Sequence, residues 1–267
     1  MDSKFLHLIS RFLLSISSTR FYKILVYTGK CILPKGEKVY IDNHGLKMGV
    51  DLSKALEHGI LLNVSEPHVT SNLLSVVRKG DVVIDVGAYI GAYTLLAARH
   101  AGSNGNVISF EPNPQSYSRL IRNIELNGFT NVKAVNCAVG DESTVKNFKI
   151  NSFLSNIDSS RQSSTLVKMV TLDSIIRGNG VSSVKLIKID VEGYEYNVLK
   201  GLAASFKKHI VKNLIIEVHP TLMPNYQTSI YHVYKILKNN SFKWEELREP
   251  SHKMKEVFYI FARLHAN

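Results

Sequence analysis

The stretch "VVIDVGAYIGAYTLLAAR", residues 82–99, places two glycines directly after a short apolar run and before a helix-forming run. The β-branched segment Val82–Val86 is typical of a strand buried on both faces of a parallel sheet. Gly87 and Gly91 then interrupt it, and the alanines and leucines after Gly91 continue up to Gly102. This order predicts a strand, a tight turn and a helix, a unit that binds nucleotide-like ligands in parallel α/β sheets.

The same order of elements recurs along the chain. "NVISFEPNP" predicts a second strand, and the helix after it should begin at Pro114 with Asn113 as its cap. "NVKAVNCAVGD", "VKLIKIDVEGYEYNVLKGL" and "NLIIEVHP" predict three more strands, while "FKWEELR" and "KEVFYIFARL" predict a closing antiparallel hairpin. Because strands and helices alternate, the chain should form an α/β fold around one mostly parallel, doubly wound sheet.

Two regions, residues 1–65 and residues 143–180, differ from this pattern. Residues 1–65 are expected to form an N-terminal extension with a helix and short β segments, and residues 66–267 are expected to form the main domain. The main domain should start with a helix that begins near Pro67 and ends at Gly80. Within it, residues 143–180 are polar and rich in serine, and their alternating segments predict a β-hairpin around a mobile loop that is a candidate lid.

The composition limits the class of protein. A chain of 267 residues with 45% hydrophobic residues can bury one large core. Its 33 basic and 22 acidic residues give a net charge of +11, which admits a nucleic acid, an anionic membrane surface or an anionic substrate as partner. The basic residues are spread along the chain, which favours an ordinary basic surface. Cys31 and Cys137 lack CxxC spacing, so they argue against a thiolate metal site and favour a reducing, cytoplasmic compartment.

The first residues of the chain are both apolar and basic. His7, Arg11, Arg20 and Lys23 interrupt every apolar run, so none reaches the length needed to span a bilayer. Apolar residues recur at helical spacing from Phe5 onward, which predicts an amphipathic helix. We expect this helix to pack over the sheet or the substrate cleft, and peripheral contact with a membrane surface is the alternative.

Acidic residues follow the predicted strands at the edge where ligands bind in open α/β sheets. The set is Asp85, Glu111, Asp141, Asp190, Glu192 and Glu217, with His219 beside the last of them. Any one of these acids alone is typical of a helix cap or a solvated turn. Their repetition at the same place predicts one acidic cleft, in which Gly87 and Gly91 let a ligand approach the backbone.

The acid after the second strand and the spacing of the glycines restrict the ligand. The carboxylate of Glu111 can accept hydrogen bonds from two ribose hydroxyls, which both NAD and S-adenosylmethionine offer. "GAYIG" is not the G-x-G-x-x-G pattern that lets a pyrophosphate pass close to the backbone. A ligand with ribose and adenine but no diphosphate therefore fits better.

The motifs "DVGAYIGAYT", "FEPNP", "NCAVGD", "TLDSI", "KIDVEGYE" and "IIEVHP" resemble, in this order, the FkbM family of class I S-adenosylmethionine-dependent methyltransferases, over about residues 66–220. The resemblance implies a Rossmann-like fold whose mostly parallel seven-stranded sheet has an antiparallel C-terminal strand. It also implies S-adenosylmethionine as the cofactor, with Asp85, Gly87 and Gly91 around its methionine part, Glu111 on its ribose and Gly140 and Asp141 near its adenine. The family often has Asn or His where Tyr89 stands, so a polar contact there is either missing or made by the phenol hydroxyl.

Methyl transfer from a sulfonium requires alignment of the acceptor and, for a hydroxyl acceptor, removal of a proton. The candidate groups for proton removal are Asp190, Glu192, Glu195, Glu217 and His219. His219 is the preferred base because its unperturbed pKa lies near neutrality. The same groups could instead hold a divalent cation, but the sequence does not favour this and assigns no metal ligands.

The resemblance suggests O-methylation of a hydroxyl on a small molecule, a sugar, a glycan or a lipid. The charge of +11 keeps an RNA methyltransferase as an alternative, although no RNA-binding module and no N-P-P-[YF] signature is present in the sequence. The third candidate function is that of a nucleotide-binding module without catalytic activity. The sequence leaves the acceptor and the oligomeric state undetermined.

Overall fold

The computed structural model describes most of the chain, namely residues 36–62, 66–149, 164–248 and 257–265. Two predictions fall outside these residues: the N-terminal amphipathic helix within residues 1–35 and the loop of the candidate lid at residues 150–163. In the described part of the chain, no helix combines the length and the apolar character that crossing a membrane requires.

The described chain begins with a small hairpin and a helix, here called the hairpin–helix segment (residues 37–62). Strand β1 (Lys38–Ile41) pairs antiparallel with β2 (Lys47–Val50), and helix α1 (Ala55–Leu62) follows. Helix α2 (Pro67–Val76) starts where the sequence predicts but ends before Gly80, because Val77 already has an extended backbone.

One central sheet organises the rest of the chain. In chain order the elements are β3 (Val82–Val86), α3 (Ala92–Ala101), β4 (Asn106–Phe110), α4 (Pro114–Leu126), β5 (Val132–Val135), β6 (Ala138–Val139), β7 (Thr144–Lys149), β8 (Ser164–Val170), α5 (Leu172–Gly178), β9 (Leu186–Ile189), α6 (Glu195–Lys200), α7 (Ala203–Lys207), β10 (Asn213–Val218), a 3-10 helix (Met223–Tyr226), α8 (Ile230–Asn239), β11 (Phe242–Leu247) and β12 (Phe258–Leu264). The sheet has seven strands in the order β11-β12-β10-β9-β3-β4-β5. β12 is the one strand of this sheet that runs opposite to the other six, so it pairs antiparallel with β11 and β10. The fold class expected from the sequence is therefore confirmed.

The prediction that "NVKAVNCAVGD" forms one strand is wrong. The segment "NVKAVNCAVGD" divides into β5, which pairs with β4, and β6, which pairs with β8 in a separate three-stranded sheet. Asn136 separates the two because its side chain turns back and donates to the Glu111 carbonyl at 2.7 Å. The residues after β5 therefore leave the edge of the central sheet. In the same small sheet β7 and β8 form the hairpin predicted within residues 143–180.

The two faces of the central sheet carry separate hydrophobic clusters, because successive strand residues point to opposite sides. In β3, Ile84 belongs to one cluster and Val83 to the other. The Val83 cluster also includes Leu46, Met48 and Val50 from the hairpin–helix segment. This segment therefore packs on one face of the sheet and shares its core with the main domain. The division of the chain after residue 65 stays a prediction.

We expect Gly87→Ala to destabilise the fold strongly. Gly87 has φ +81, and a Cβ at this position would lie 1.8 Å from the Asp190 carbonyl oxygen, so the turn after β3 would be pushed away from the end of β9. Overpacking of this kind costs about 3 kcal/mol of unfolding free energy or more, measurable by denaturant titration.

The matched control is Gly128→Ala. Gly128 also has positive φ (+64), but a Cβ there meets nothing within 4 Å, so only backbone strain is introduced. That strain costs about 1–2 kcal/mol. Equal losses for the two variants would contradict the close approach of β3 and β9.

Candidate functional site

A buried lysine lies at the centre of the candidate site. Lys188 is on β9, and its Nζ is 3.0 Å from Asp190 Oδ2 and 5.0 Å from the centre of the Tyr93 ring. Burial lowers the pKa of Lys188, but the charges of Asp190, Asp85 and their acidic neighbours outweigh it and raise the pKa. The sequence analysis missed this residue, although a lysine within the apolar strand "LIKI" was the available signal.

Asp85 lies at the end of β3 and is almost fully buried. Its Oδ2 accepts a hydrogen bond from Thr94 Oγ1 at 2.6 Å, which ties the strand to the first turn of α3. Among the described residues, its Oδ1 has no hydrogen-bond partner. Burial raises the pKa of Asp85, and the charge of Lys188 opposes this. Asp85 therefore offers an unpaired carboxylate oxygen beside the glycine turn.

Two further acids, both half-buried, face the same lysine. Burial raises the pKa of Glu217, and the charges of Asp190 and Glu66 raise it further. Burial also raises the pKa of Glu66, which accepts a hydrogen bond from the Tyr93 hydroxyl. The sequence analysis proposed Glu217 but missed Glu66, because an acid at the start of a helix is usually a capping residue.

Glu111 follows β4 and is held by two backbone donors. Its Oε2 accepts from the Tyr89 N–H and its Oε1 from the Asn113 N–H, both at 2.8 Å. Asn113 in turn caps α4, as the sequence predicts, by accepting from the N–H groups of Gln115 and Ser116. Burial raises the pKa of Glu111 to about 7, against the effect of the two backbone hydrogen bonds. The carboxylate is thus fixed beside the glycine turn.

The two glycines of the turn are required for internal packing. A Cβ at Gly91 would lie 2.5 Å from Leu120 Cδ1, and a Cβ at Gly87 would overlap the backbone of Asp190. Both glycines have positive φ, as does Tyr89 between them, with φ 51. The expectation that the glycines also admit a ligand stays a prediction.

His219, beyond the end of β10, is held between carboxylates on both sides of its ring. Its Nδ1 is 2.9 Å from Glu195 Oε1, which also accepts the Gly193 N–H at 2.8 Å. Its Nε2 is 3.4 Å from Glu192 Oε2 and 3.6 Å from Glu217 Oε1. Burial lowers the pKa of His219, but the hydrogen bond to Glu195 and the nearby negative charges raise it overall.

Asp190, Glu192 and His219 could also bind a metal ion. Each offers one ligand atom, and these atoms lie within 4.8 Å of one another. Carboxylate and imidazole ligands suit several divalent cations. An ion there would compete with Lys188 for Asp190, because the lysine ammonium already pairs with this carboxylate.

Asp141 is not in direct contact with these acids. It follows β6 of the small sheet, and its carboxylate binds Lys200 Nζ at 2.6 Å and accepts from the Tyr194 hydroxyl at 3.5 Å. The expected position at the end of a central strand is wrong, because the chain leaves the central sheet after β5. A contact of Asp141 with adenine stays a prediction.

Comparison with known proteins finds similarity to methyltransferases. Residues 85–244, more than half of the chain, match the family described as the methyltransferase FkbM domain. The chain is 29% identical over 167 residues to the hexuronic acid methyltransferase AglP of Haloferax volcanii, a match that covers 62% of this chain and 67% of that protein. It is 26% identical over 223 residues to the 31-O-demethyl-FK506 methyltransferase FkbM of Streptomyces tacrolimicus, covering 70% and 82%. The structure of a SAM-dependent methyltransferase from Aquifex aeolicus aligns with 75% of this chain and 90% of that chain, with a TM-score of 0.45 and 15% identity.

The contact between His219 and Glu195 can be measured directly. NMR titration should give His219 a pKa above its usual 6.5 in the wild type. Glu195→Gln should lower this pKa, because the charged partner of Nδ1 is lost. The control is His209→Asn at an exposed histidine, which should leave the pKa of His219 unchanged. An unchanged pKa for His219 in Glu195→Gln would contradict the contact.

Proposed function

Because the chain belongs to the FkbM methyltransferase family, we propose that it transfers a methyl group from S-adenosylmethionine to a hydroxyl of a sugar or another small molecule. The observation that carries this proposal is the excess of carboxylates over the single buried ammonium of Lys188, with Asp85 buried at the end of β3 and Asp190 and Glu217 half-buried at β9 and β10. When bound, S-adenosylmethionine supplies the methyl group and two cationic centres, a sulfonium and an ammonium.

The charge of the cleft fits such a cationic ligand. The pKa values of Asp85, Glu111 and Glu217 are all raised, mainly by burial, so these carboxyls lack compensating positive charge. A bound cation would stabilise their ionised forms, and by linkage they would stabilise the bound cation. A diphosphate would instead meet several negative groups at short range. This difference favours S-adenosylmethionine over NAD.

The geometry supports a separate role for each acid. Asp85 has one unpaired buried oxygen for the methionine part, beside the turn of Gly87 and Gly91. Glu111 is fixed by two backbone N–H groups, so its orientation suits hydrogen bonds from the ribose hydroxyls. For Asp141 we propose a contact with the adenine only because the sequence motifs resemble those of the FkbM family.

His219 is the proposed general base. Glu195 holds Nδ1, so Nε2 faces the cleft and can accept the proton of an acceptor hydroxyl. Asp190, Glu192 and Glu217 act as its electrostatic surroundings, because their charges stabilise the protonated ring. Glu195 is a positioning residue, since it acts through His219.

The relatives support a sugar or another small molecule as acceptor. The one from Haloferax volcanii is a hexuronic acid methyltransferase, and the one from Streptomyces tacrolimicus acts on 31-O-demethyl-FK506. We therefore propose a uronic-acid-containing sugar as the first acceptor to test.

Calorimetry with S-adenosylmethionine tests the cofactor assignment. We expect the wild type to bind S-adenosylmethionine and not NAD, and Glu111→Ala to weaken binding by about tenfold or more, the usual cost of losing a charged hydrogen-bond partner. The control is Glu125→Ala, which removes an exposed glutamate from α4. Preferential binding of NAD would overturn the proposed function, and unchanged affinity in Glu111→Ala would remove Glu111 from the site.

Transfer of labelled methyl groups to a panel of uronic acid glycosides, neutral sugars and RNA tests the reaction. We expect His219→Asn to lower kcat by about 100-fold, since general bases contribute at least this much, with cofactor affinity retained. In the wild type the rate should rise as pH increases through the raised pKa of His219, because only the neutral ring accepts a proton. His209→Asn is the matched control at an exposed histidine. Loss of rate in EDTA, restored by Mg²⁺ or Mn²⁺, would make His219 a metal ligand instead, and labelling of RNA alone would favour the RNA alternative.

A further inference from the structure

We propose that Tyr89 couples the hairpin–helix segment to the cofactor site by fixing the position of Glu111. The inference rests on the proposed function, because it concerns the affinity for S-adenosylmethionine. It identifies Tyr89 and Glu57 as positioning residues that lie outside the acidic cluster around Lys188. The contacts of these two side chains carry the inference.

Tyr89 makes one hydrogen bond at each end. Its backbone N–H donates to Glu111 Oε2 at 2.8 Å, and its hydroxyl donates to Glu57 Oε1 at 3.0 Å. Its φ of 51 lies in the left-handed region, which costs a residue with a Cβ about 1–2 kcal/mol. Interactions with the rest of the protein must offset this cost. The two hydrogen bonds are directional interactions of Tyr89 that contribute to this.

Glu57 is a rigid acceptor for the hydroxyl. It is fully buried in α1, and Arg119 of α4 donates to both of its oxygens, at 2.7 and 2.6 Å. The Asp51 N–H donates to it at 2.6 Å, and Lys54 Nζ lies 3.1 Å away. Burial alone would raise the pKa of Glu57, but Arg119 and the other donors lower it to about 2, so the carboxylate stays ionised.

Arg119 fastens this acceptor to the rest of the hairpin–helix segment. Its guanidinium also donates to the Gly49 carbonyl at 3.1 Å, and its Nε lies 2.7 Å from Glu37 Oε2. The network therefore runs from the β1–β2 hairpin through α4 and Glu57 to Tyr89 and ends at Glu111. Without the hydroxyl contact, the left-handed backbone of Tyr89 can relax and withdraw its N–H from the carboxylate.

Coupling of this kind acts in both directions. If the hairpin–helix segment holds Glu111 ready for the ribose, then a ligand on Glu111 must stabilise the segment. A contact that only stabilised the fold would lower the unfolding free energy without linking ligand binding to this segment. Affinity and local amide exchange distinguish the two roles.

The test compares Tyr89→Phe with the wild type. We expect the Kd for S-adenosylmethionine to rise about three- to tenfold, the effect of losing one hydrogen bond. Tyr231→Phe, which removes a hydroxyl from an exposed tyrosine of α8, should leave the Kd unchanged. Hydrogen exchange should show slower exchange in residues 37–62 when S-adenosylmethionine binds the wild type, and this slowing should be lost in Tyr89→Phe.

The outcomes separate this inference from the proposed function. Absence of S-adenosylmethionine binding to the wild type would overturn the proposed function, and the inference with it. Normal wild-type binding with the same Kd in Tyr89→Phe would overturn the coupling alone. If Tyr89→Phe does not fold, Glu57→Gln and wild-type hydrogen exchange replace it, and ligand-independent exchange in residues 37–62 would then overturn the coupling.

Discussion

The pairing of one buried ammonium with several buried or half-buried carboxylates is the constraint on which the site depends. Lys188 Nζ lies 3.0 Å from Asp190, with Asp85, Glu66 and Glu217 close enough to raise its pKa. A charge taken out of water costs several kcal/mol unless it is paired. The charge of the lysine therefore lowers the free-energy cost of burying the acids at the strand ends, but one positive charge does not neutralise all of them. The remaining negative charge is the basis on which we propose a cationic ligand.

The backbone brings these charges together by close approach of two strand ends. The carbonyl of Asp190 lies where a side chain at Gly87 would have to be, so β3 and β9 stay in register through their carboxyl ends. The glycine turn is thus required for the packing of the two strands, independently of any role in ligand binding. The same packing leaves Tyr89 in a left-handed conformation, which its neighbours must stabilise.

The residues that sequence reasoning recovered are those whose signal is local. The β-branched run of β3, the cap at Asn113 and the alternation in β7 and β8 all follow from neighbouring residue types, and the structure confirms them. Two predicted element bounds are wrong. α2 ends at Val76, and "NVKAVNCAVGD" is divided where the Asn136 side chain donates a hydrogen bond to the loop after β4, a contact with no local sequence pattern.

The functional groups that were missed depend on contacts distant in sequence. Glu66 resembled a capping residue, and Glu57 lies in a segment assigned to an extension. Both acquire their roles from partners on other elements, Tyr93 and Arg119. Glu195 was a candidate for the base, but it is fully buried and contacts His219, so we propose that it positions the histidine.

The sequence by itself determined the alternation of strands and helices, the glycine turn and the presence of acids at the strand ends, because each follows from residue types a few positions apart. The tertiary structure decided which acids share one charge environment, which ring nitrogen of His219 Glu195 holds and how Tyr89 joins Glu57 to Glu111. Those relations depend on burial and on distances between separate elements. They exist only once the sheet, its crossover helices and the hairpin–helix segment have packed together.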